Sequence, residues 1–249
     1  MSSKDNQKVY FGDKKVTKQN KKDGVESIFT KVSENYDLMN DLMSAGMHRF
    51  WKKSFINAAN IKKNDNCLDL AAGTGDIAKL ISKKVRGKTV YLCDQNNEMI
   101  EKAKERSLNE GFYQKCFFDV SSAEKLPYKK ETFDHVFISF GFRNFSDKKG
   151  SLKEIKRVLK KGGKLHILEF SKSQGENFSK IYDFYSYNFI PTIGDLVTGD
   201  RKSYEYLVKS IRTHEDQEAM LSLFEDAGYL DCDYKNIFKG IVALHRGTK

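Results

Sequence analysis

Proline is almost missing from this chain, with only Pro127 and Pro191 in 249 residues. Long stretches are therefore free of the lost N–H and the fixed φ that break helices and sheet ladders. Cysteine is nearly as scarce. Cys67, Cys93, Cys116 and Cys232 stand far apart and form no C-x-x-C pair. That spacing argues against a disulfide framework or a thiolate zinc site and suits a reducing cytosol. Three of the four fall in runs that read as strands, where a thiol behaves as a small apolar side chain. No apolar run approaches the ~20 residues that cross a bilayer. Residues 1–22 are polar and charged and lack the apolar segment of an export signal. Repeats and low-complexity tracts are also absent, and no cluster of potential ligands has metal-site spacing.

What is abundant is lysine. Lys and Arg number 44 against 34 Asp and Glu, a formal net charge of +10. The cations are scattered and do not interleave with aromatics as in an RNA-binding motif, so the excess points to an anionic membrane face and away from nucleic acid.

From residue 61 onward, short apolar runs alternate with amphipathic stretches, the pattern of βαβ units on a parallel sheet. Strands are expected over 66–71, 88–94, 114–119, 133–140 and 164–170. The run FDHVFISF is nearly continuous in its apolarity and therefore central. Helices are expected over 76–84, 97–111 and 147–160. The second would bury Met99, Ile100, Ala103 and Leu108, and the third Leu152, Ile155, Val158 and Leu159. Lys161-Gly162-Gly163 would end the third helix with a left-handed cap. About forty residues rich in Tyr and Phe interrupt the rhythm after Ser171. It resumes with a helix over 215–227 and strands near 230–234 and 238–245. Those last two are joined too tightly for a right-handed crossover and should pair antiparallel. The fold class is therefore α/β and Rossmann-like, a seven-stranded, mostly parallel sheet with an antiparallel C-terminal strand.

The segment Asp69-Leu70-Ala71-Ala72-Gly73-Thr74-Gly75-Asp76 joins a strand to a helix, and its glycines would let a ligand approach the backbone. Gly73, Gly75 and Ala78 also satisfy the G-x-G-x-x-(G/A) dinucleotide fingerprint. Asp94, about 20 residues on, could accept from ribose hydroxyls in either enzyme class. Electrostatics separate the two. A pyrophosphate favours an undisturbed helix N-terminus, yet Asp69 and Asp76 stand there. Two carboxylates would repel phosphate and tolerate a cationic sulfonium, although Asp76 alone could be only an N-cap. The balance favours S-adenosylmethionine over a nicotinamide cofactor.

The sequence resembles the ubiquinone/menaquinone biosynthesis C-methyltransferases, class I S-adenosylmethionine-dependent enzymes, almost end to end from Phe11 to Lys249. The likeness is carried by IFTKVSENYDLMNDLMSAGMHRFWK, LDLAAGTGD, AEKLPY, ISFGFRNFSD, GGKLHILEFSK and SYEYLVKSIRTHEDQ. The glycine turn is common to many methyltransferases, whereas YDLMNDLMS and FGFRN are far more specific. The resemblance implies that Thr74 and its flanking glycines face the methionine end of the cofactor, that Asp94 holds the ribose and that Met99 lies against adenine. It places Ser122 and Ala123 at the adenine edge and Ser139 beneath the cofactor. Ser122 stands where the family usually has Asn or Asp, and Ala72 where it often has Gly. The implied substrate is a prenylated quinol, in ubiquinone synthesis first and menaquinone synthesis second. Contact with a membrane surface, a quinone-synthesis complex and a homodimer are compatible partners, in the cytoplasm or peripheral on the inner face of the membrane.

A ring carbon attacks a sulfonium only when an adjacent hydroxyl is ionised or nearly so, and the oxygen then needs donors or a cation. Arg143 and Asn144 follow the fourth strand at the carboxyl edge of the sheet, where ligands bind. Arg143 is expected to stabilise that oxygen and Asn144 to orient the ring. Arginine is a poor base, so Arg143 is expected to act as a stabiliser and not as a proton acceptor; a surface pair with Asp147 is the alternative. His135 and His166 read as core residues, and His48, His214 and His245 receive no chemical role. Residues 1–24 are expected to be a flexible basic terminus and 25–249 the methyltransferase domain, with N-terminal lid helices over 25–60 and an aromatic substrate-side insertion over 175–212. Tyr182, Tyr185 and Tyr204 are expected to line the substrate side. The rivals are a methyltransferase for another small molecule or RNA, a non-catalytic scaffold, and a nicotinamide enzyme.

Overall fold

The apolar runs become strands of one sheet in the computed structural model, which describes residues 8–173 and 184–249. Its strands are β3 (Cys67–Leu70), β4 (Val90–Asp94), β5 (Cys116–Val120), β6 (Phe133–Ser139), β7 (Leu159–Phe170), β8 (Leu230–Ile237) and β9 (Val242–Thr248). They lie in the order β5-β4-β3-β6-β7-β9-β8, and only β9 runs against the rest. β1 (Lys8–Phe11) and β2 (Lys14–Thr17) form a separate antiparallel hairpin.

Side-chain alternation builds two cores from one sheet. Leu68, Leu70, Val136, Ile138, Leu165 and Ile167 face α6 (Lys148–Val158) and α9 (Gln217–Asp226), and Cys67, Phe137, Leu168 and Phe170 face the other side. On that second side pack α4 (Asp76–Ser82), α5 (Asn97–Asn109) and α3 (His48–Ala58). The remaining helices are α1 (Lys18–Val32), α2 (Tyr36–Ser44), α7 (Ile190–Thr198) and α8 (Arg201–Arg212). Leu152, Ile155 and Val158 of α6 are fully buried, and truncating any of them to Ala would cost about 2–5 kcal/mol for the two larger side chains and less for the valine. Asp147 starts that helix by accepting from the Gly150 N–H at 3.1 Å.

Four expectations change. Leu108 is 60% exposed and Ser107 is buried in its place, because the inward stripe of α5 runs Ile100, Ala103, Ser107. α6 ends at Val158, so Gly162 caps no helix; it sits within β7 at φ +73° and its N–H donates to the Lys249 carbonyl at 3.0 Å. The glycine serves a bulge where the β6–β7 register shifts. The last hairpin turns through Phe238–Gly240, so its second strand starts at Val242. Residues 8–24 are the hairpin and the first turns of α1, not an irregular terminus. Phe11 fixes them there: its ring lies against Gly24 and 4.5 Å, centroid to centroid, from Tyr206.

Candidate active site

The strand order reverses between β3 and β6, which opens a crevice at their carboxyl ends, the position where sheets of this kind bind ligands. Ala71 and Phe140, just past the two strands, hold left-handed backbone at φ +55° and +57°. Non-glycine residues seldom adopt that conformation, and when they do it is commonly at a site where geometry is imposed from outside. The two loops touch: a Cβ on Gly141 would come within 2.7 Å of the Ala71 Cβ.

One wall is the end of β4. Asp94 accepts from the Gly73 N–H and the Asn96 N–H, both at 2.9 Å. Burial raises its carboxyl pKa above the ordinary carboxylate value, and those two N–H groups oppose the rise. Each oxygen keeps a lone pair for a further donor, so the carboxylate can also hold a pair of neighbouring hydroxyls. Met99 and Ala123 give the crevice an apolar face beside it, with Ser121 and Glu124 completing that side. Gly73 has φ +53°, and a Cβ there would lie 3.1 Å from the Tyr36 hydroxyl, so the turn admits no side chain. Burial pushes the Tyr36 phenol above its ordinary pKa, which keeps it protonated.

The opposite wall is the loop after β6. Ser139 and Asn144 both line the crevice, and Ser139 Oγ and Asn144 Nδ2 are buried without a partner among the described residues. A buried donor left unpaired costs about 1–3 kcal/mol, so both atoms are suited to a ligand. Asn144 is not free to turn, because its Oδ1 accepts from the Tyr206 hydroxyl at 3.0 Å. Helix α1 roofs the crevice with Val25, Glu26 and Phe29.

Arg143 has a different place. Its guanidinium pairs with Glu169 at 2.8 Å, donates to the Phe140 carbonyl and to Ser210 Oγ, and lies over the Phe170 ring. It is buried and does not line the crevice. Nor does it pair with Asp147, which bonds Lys18 at 3.0 Å. Asp69 is also withdrawn: it accepts from the Ala78 N–H at 2.9 Å, and burial raises its pKa well above the ordinary value. Asp76 is answered by Lys52 at 2.7 Å and Arg106 at 2.8 Å, which hold its pKa below the usual range. Its charge is thus spent on protein cations, and it adds little to the choice between phosphate and sulfonium.

The structure therefore brings together Gly73, Asp94, Met99, Ala123, Ser139 and Asn144 around one space. Thr74 and Gly75 follow just behind the turn; Thr74 accepts from Arg106 at 3.3 Å, and a Cβ on Gly75 would meet Leu92 at 3.2 Å. Ser122 does not line the crevice although both its neighbours do. Tyr185 donates to the Leu42 carbonyl at 2.8 Å, and Tyr204 is a core residue packed on Gly194; neither lines the crevice. Tyr182 lies outside the described residues. Sequence reading missed Tyr36, Asn96, Glu169 and Tyr206. Glu169 did leave a signal, a carboxylate inside an apolar strand, whereas Tyr206 left none that set it apart from its aromatic neighbours.

The profile of the ubiE/COQ5 methyltransferase family matches residues 14–249. The ubiquinone/menaquinone biosynthesis C-methyltransferase UbiE of Idiomarina loihiensis is 42% identical over 250 residues, covering 100% of both chains. That of Hydrogenovibrio crunogenus is 45% identical, covering 97% of this chain and 95% of its own. Among solved structures, a SAM dependent methyltransferase from Aquifex aeolicus superposes with a TM-score of 0.62 at 19% identity, over 82% of this chain and 93% of its own. A possible histamine N-methyltransferase from Thermotoga maritima gives 0.63 at 17%, over 90% and 99%. At such identities the two structures speak for the fold alone.

Proposed function

The chain belongs to the ubiE/COQ5 methyltransferase family, and from that membership we propose that it methylates a ring carbon of a prenylated quinol in ubiquinone synthesis, and of demethylmenaquinol in menaquinone synthesis. It is an S-adenosylmethionine-dependent C-methyltransferase. The observation that carries the reading is the pair of facing walls: Asp94 with acceptor capacity to spare, and Asn144 with a buried donor unpaired among the described residues.

S-adenosylmethionine supplies an electrophilic methyl on a sulfonium. Asp94 would hold the ribose hydroxyls, Met99 and Ala123 would face the adenine, and the bare backbone at Gly73 would border the methionine end. Asp69, Thr74 and Gly75 would support that turn, and Ser139 would offer its buried hydroxyl to the cofactor. We assign to Asn144 Nδ2 a hydrogen bond to the quinol oxygen adjacent to the attacking carbon, which stabilises the negative charge that develops there. Arg143 serves as a positioning residue, because its ion pair with Glu169 fixes the backbone that presents Asn144. The α1 roof would shield the reacting atoms from water.

The acceptor's prenyl tail points to delivery from a membrane. No helix among the described residues is long and apolar enough to cross one. Support for docking to an anionic face comes from the +10 charge and from exposed Phe184, Phe189, Leu196 and Val197. Calorimetric titration with S-adenosylhomocysteine tests the central reading. Binding by the wild type that Asp94→Ala loses is expected, and no heat at millimolar ligand would overturn it. Turnover of a short-chain quinol then tests the acceptor.

A further inference from the structure

A second cavity opens beside the crevice, between the N-terminal hairpin, the start of α6 and the end of α8, and Phe145 borders both. Its walls carry Lys8, Lys18, Lys21, Arg143, Lys148 and Lys149, against the carboxylates of Asp147 and Glu215. Most of these cations are answered in place. Lys18 meets Asp147, Lys148 meets Glu215, Lys149 meets Asp226 and Arg143 meets Glu169. Lys21 is the exception among the buried ones. Only 5% exposed, its Nζ makes one polar contact among the described residues, with the Arg143 carbonyl at 3.1 Å.

An ammonium has three donors, so two remain at the cavity wall. A buried, uncompensated charge is strongly disfavoured. Among the neighbouring charges Lys148 and Arg143 repel it, while Glu215 and Glu124 attract it without a direct contact to its Nζ among the described residues. Burial and that repulsion bring the Lys21 amine down to about 7. Such a group is either a neutral structural amine or the ligand of an anion that the cavity is built to take.

We propose that this cavity is an anion site for a compact phosphate-bearing group, held by Lys21 at its wall with Lys8 and Lys148 beside it. The cavity's position supports this, because it is separated from the crevice by the loop carrying Arg143 and Asn144. Lys21 touches that loop directly, so an occupied site would bear on the wall that presents Asn144. A free phosphate and the headgroup of an acidic lipid share the required chemistry.

The test uses the full chain in a phosphate-free buffer of low ionic strength. Inorganic phosphate is titrated calorimetrically at pH 7 in two buffers of different ionisation enthalpy. The wild type should take up more protons on binding than Lys21→Met does, because an anion raises the affinity of the Lys21 amine for its proton, whereas phosphate's own ionisation contributes to both. Lys21→Met should weaken binding at least about tenfold, the worth of one charge-assisted hydrogen bond, and lose that excess proton uptake. Lys8→Gln at the rim should weaken it less, and stands in should Lys21→Met fail to fold. Vesicles of phosphatidylcholine with and without phosphatidic acid separate the sources: cosedimentation with the acidic vesicles alone, lost in Lys21→Met, identifies the headgroup. Binding of neither phosphate nor acidic vesicles, or equal binding by wild type and Lys21→Met, would overturn the proposal and leave Lys21 a neutral structural amine.

Discussion

Asn96 Nδ2 lies 2.8 Å from Thr30 Oγ1, which ties the roof helix α1 to the end of the strand that carries Asp94. The same amide also donates to the Glu26 carbonyl at 3.2 Å, and its Oδ1 caps α5 by accepting from the Met99 N–H at 3.1 Å. One side chain thus shapes the apolar face of the crevice and fastens its cover. Thr30→Val removes the hydroxyl while keeping the shape. It should weaken S-adenosylhomocysteine by up to about tenfold, the value of one neutral hydrogen bond. The loss should appear as faster dissociation in stopped-flow measurements, with little change in association.

Asp94 should show opposite pH trends in stability and in ligand binding. Its folded pKa is raised by burial, so above the unfolded value the ionised form costs stability, and that cost is relieved as pH falls through the raised value. Binding needs the carboxylate as acceptor and should weaken over the same descent. Asp94→Asn should flatten the binding profile and bind at least about tenfold more weakly at pH 7. Calorimetry from pH 8 down to pH 4 checks both.

Asn144→Leu should leave S-adenosylhomocysteine affinity nearly intact and lower kcat for quinol methylation by about 10- to 1,000-fold, the range for removing a donor that acts mainly in the transition state. Tyr206→Phe releases Asn144 Oδ1 and should cost about 2- to 10-fold in kcat. An unchanged kcat in Asn144→Leu would remove this residue from the mechanism.

Arg143 and Glu169 are 3% and 1% exposed at their side chains. Removing one partner strands the other, so Glu169→Ala should lose about 3–5 kcal/mol of stability. Replacing both, as Arg143→Met with Glu169→Leu, should restore most of it without restoring full activity. Urea unfolding paired with kcat separates the two effects.

All five histidines are buried, and each has its pKa lowered chiefly by desolvation, His245 to about 4. His135 and His166 lie 3.0 Å apart, with Asp65 at 3.1 Å from His135. The unfolded chain therefore binds protons that the fold excludes, and stability should fall as pH drops below about 6.5, the unperturbed histidine value. Tm measured from pH 8 to pH 5 should show this descent, and His166→Phe should make it shallower.

The strand and helix alternation, the glycine turn and the family motifs were all legible in the sequence because each depends on spacing within a few residues. Period-two and near-four apolar patterns mark strands and helices without reference to the rest of the chain, and Asp94 is found by counting from the turn. Leu108 and Gly162 show where such local reading ends. The first depends on which stripe the sheet covers, the second on a bulge set by register with β6. Arg143 and Asn144 show it most sharply. Adjacent in the chain, they part in space: Arg143 goes to Glu169 and Asn144 to the crevice, held by Tyr206. By itself the sequence determined the sheet, the turn and the class of chemistry, since these follow from local geometry and recurring motifs. Only the tertiary structure decided which charges are already neutralised and which donors remain unpaired, because both depend on partners brought from dozens of residues away.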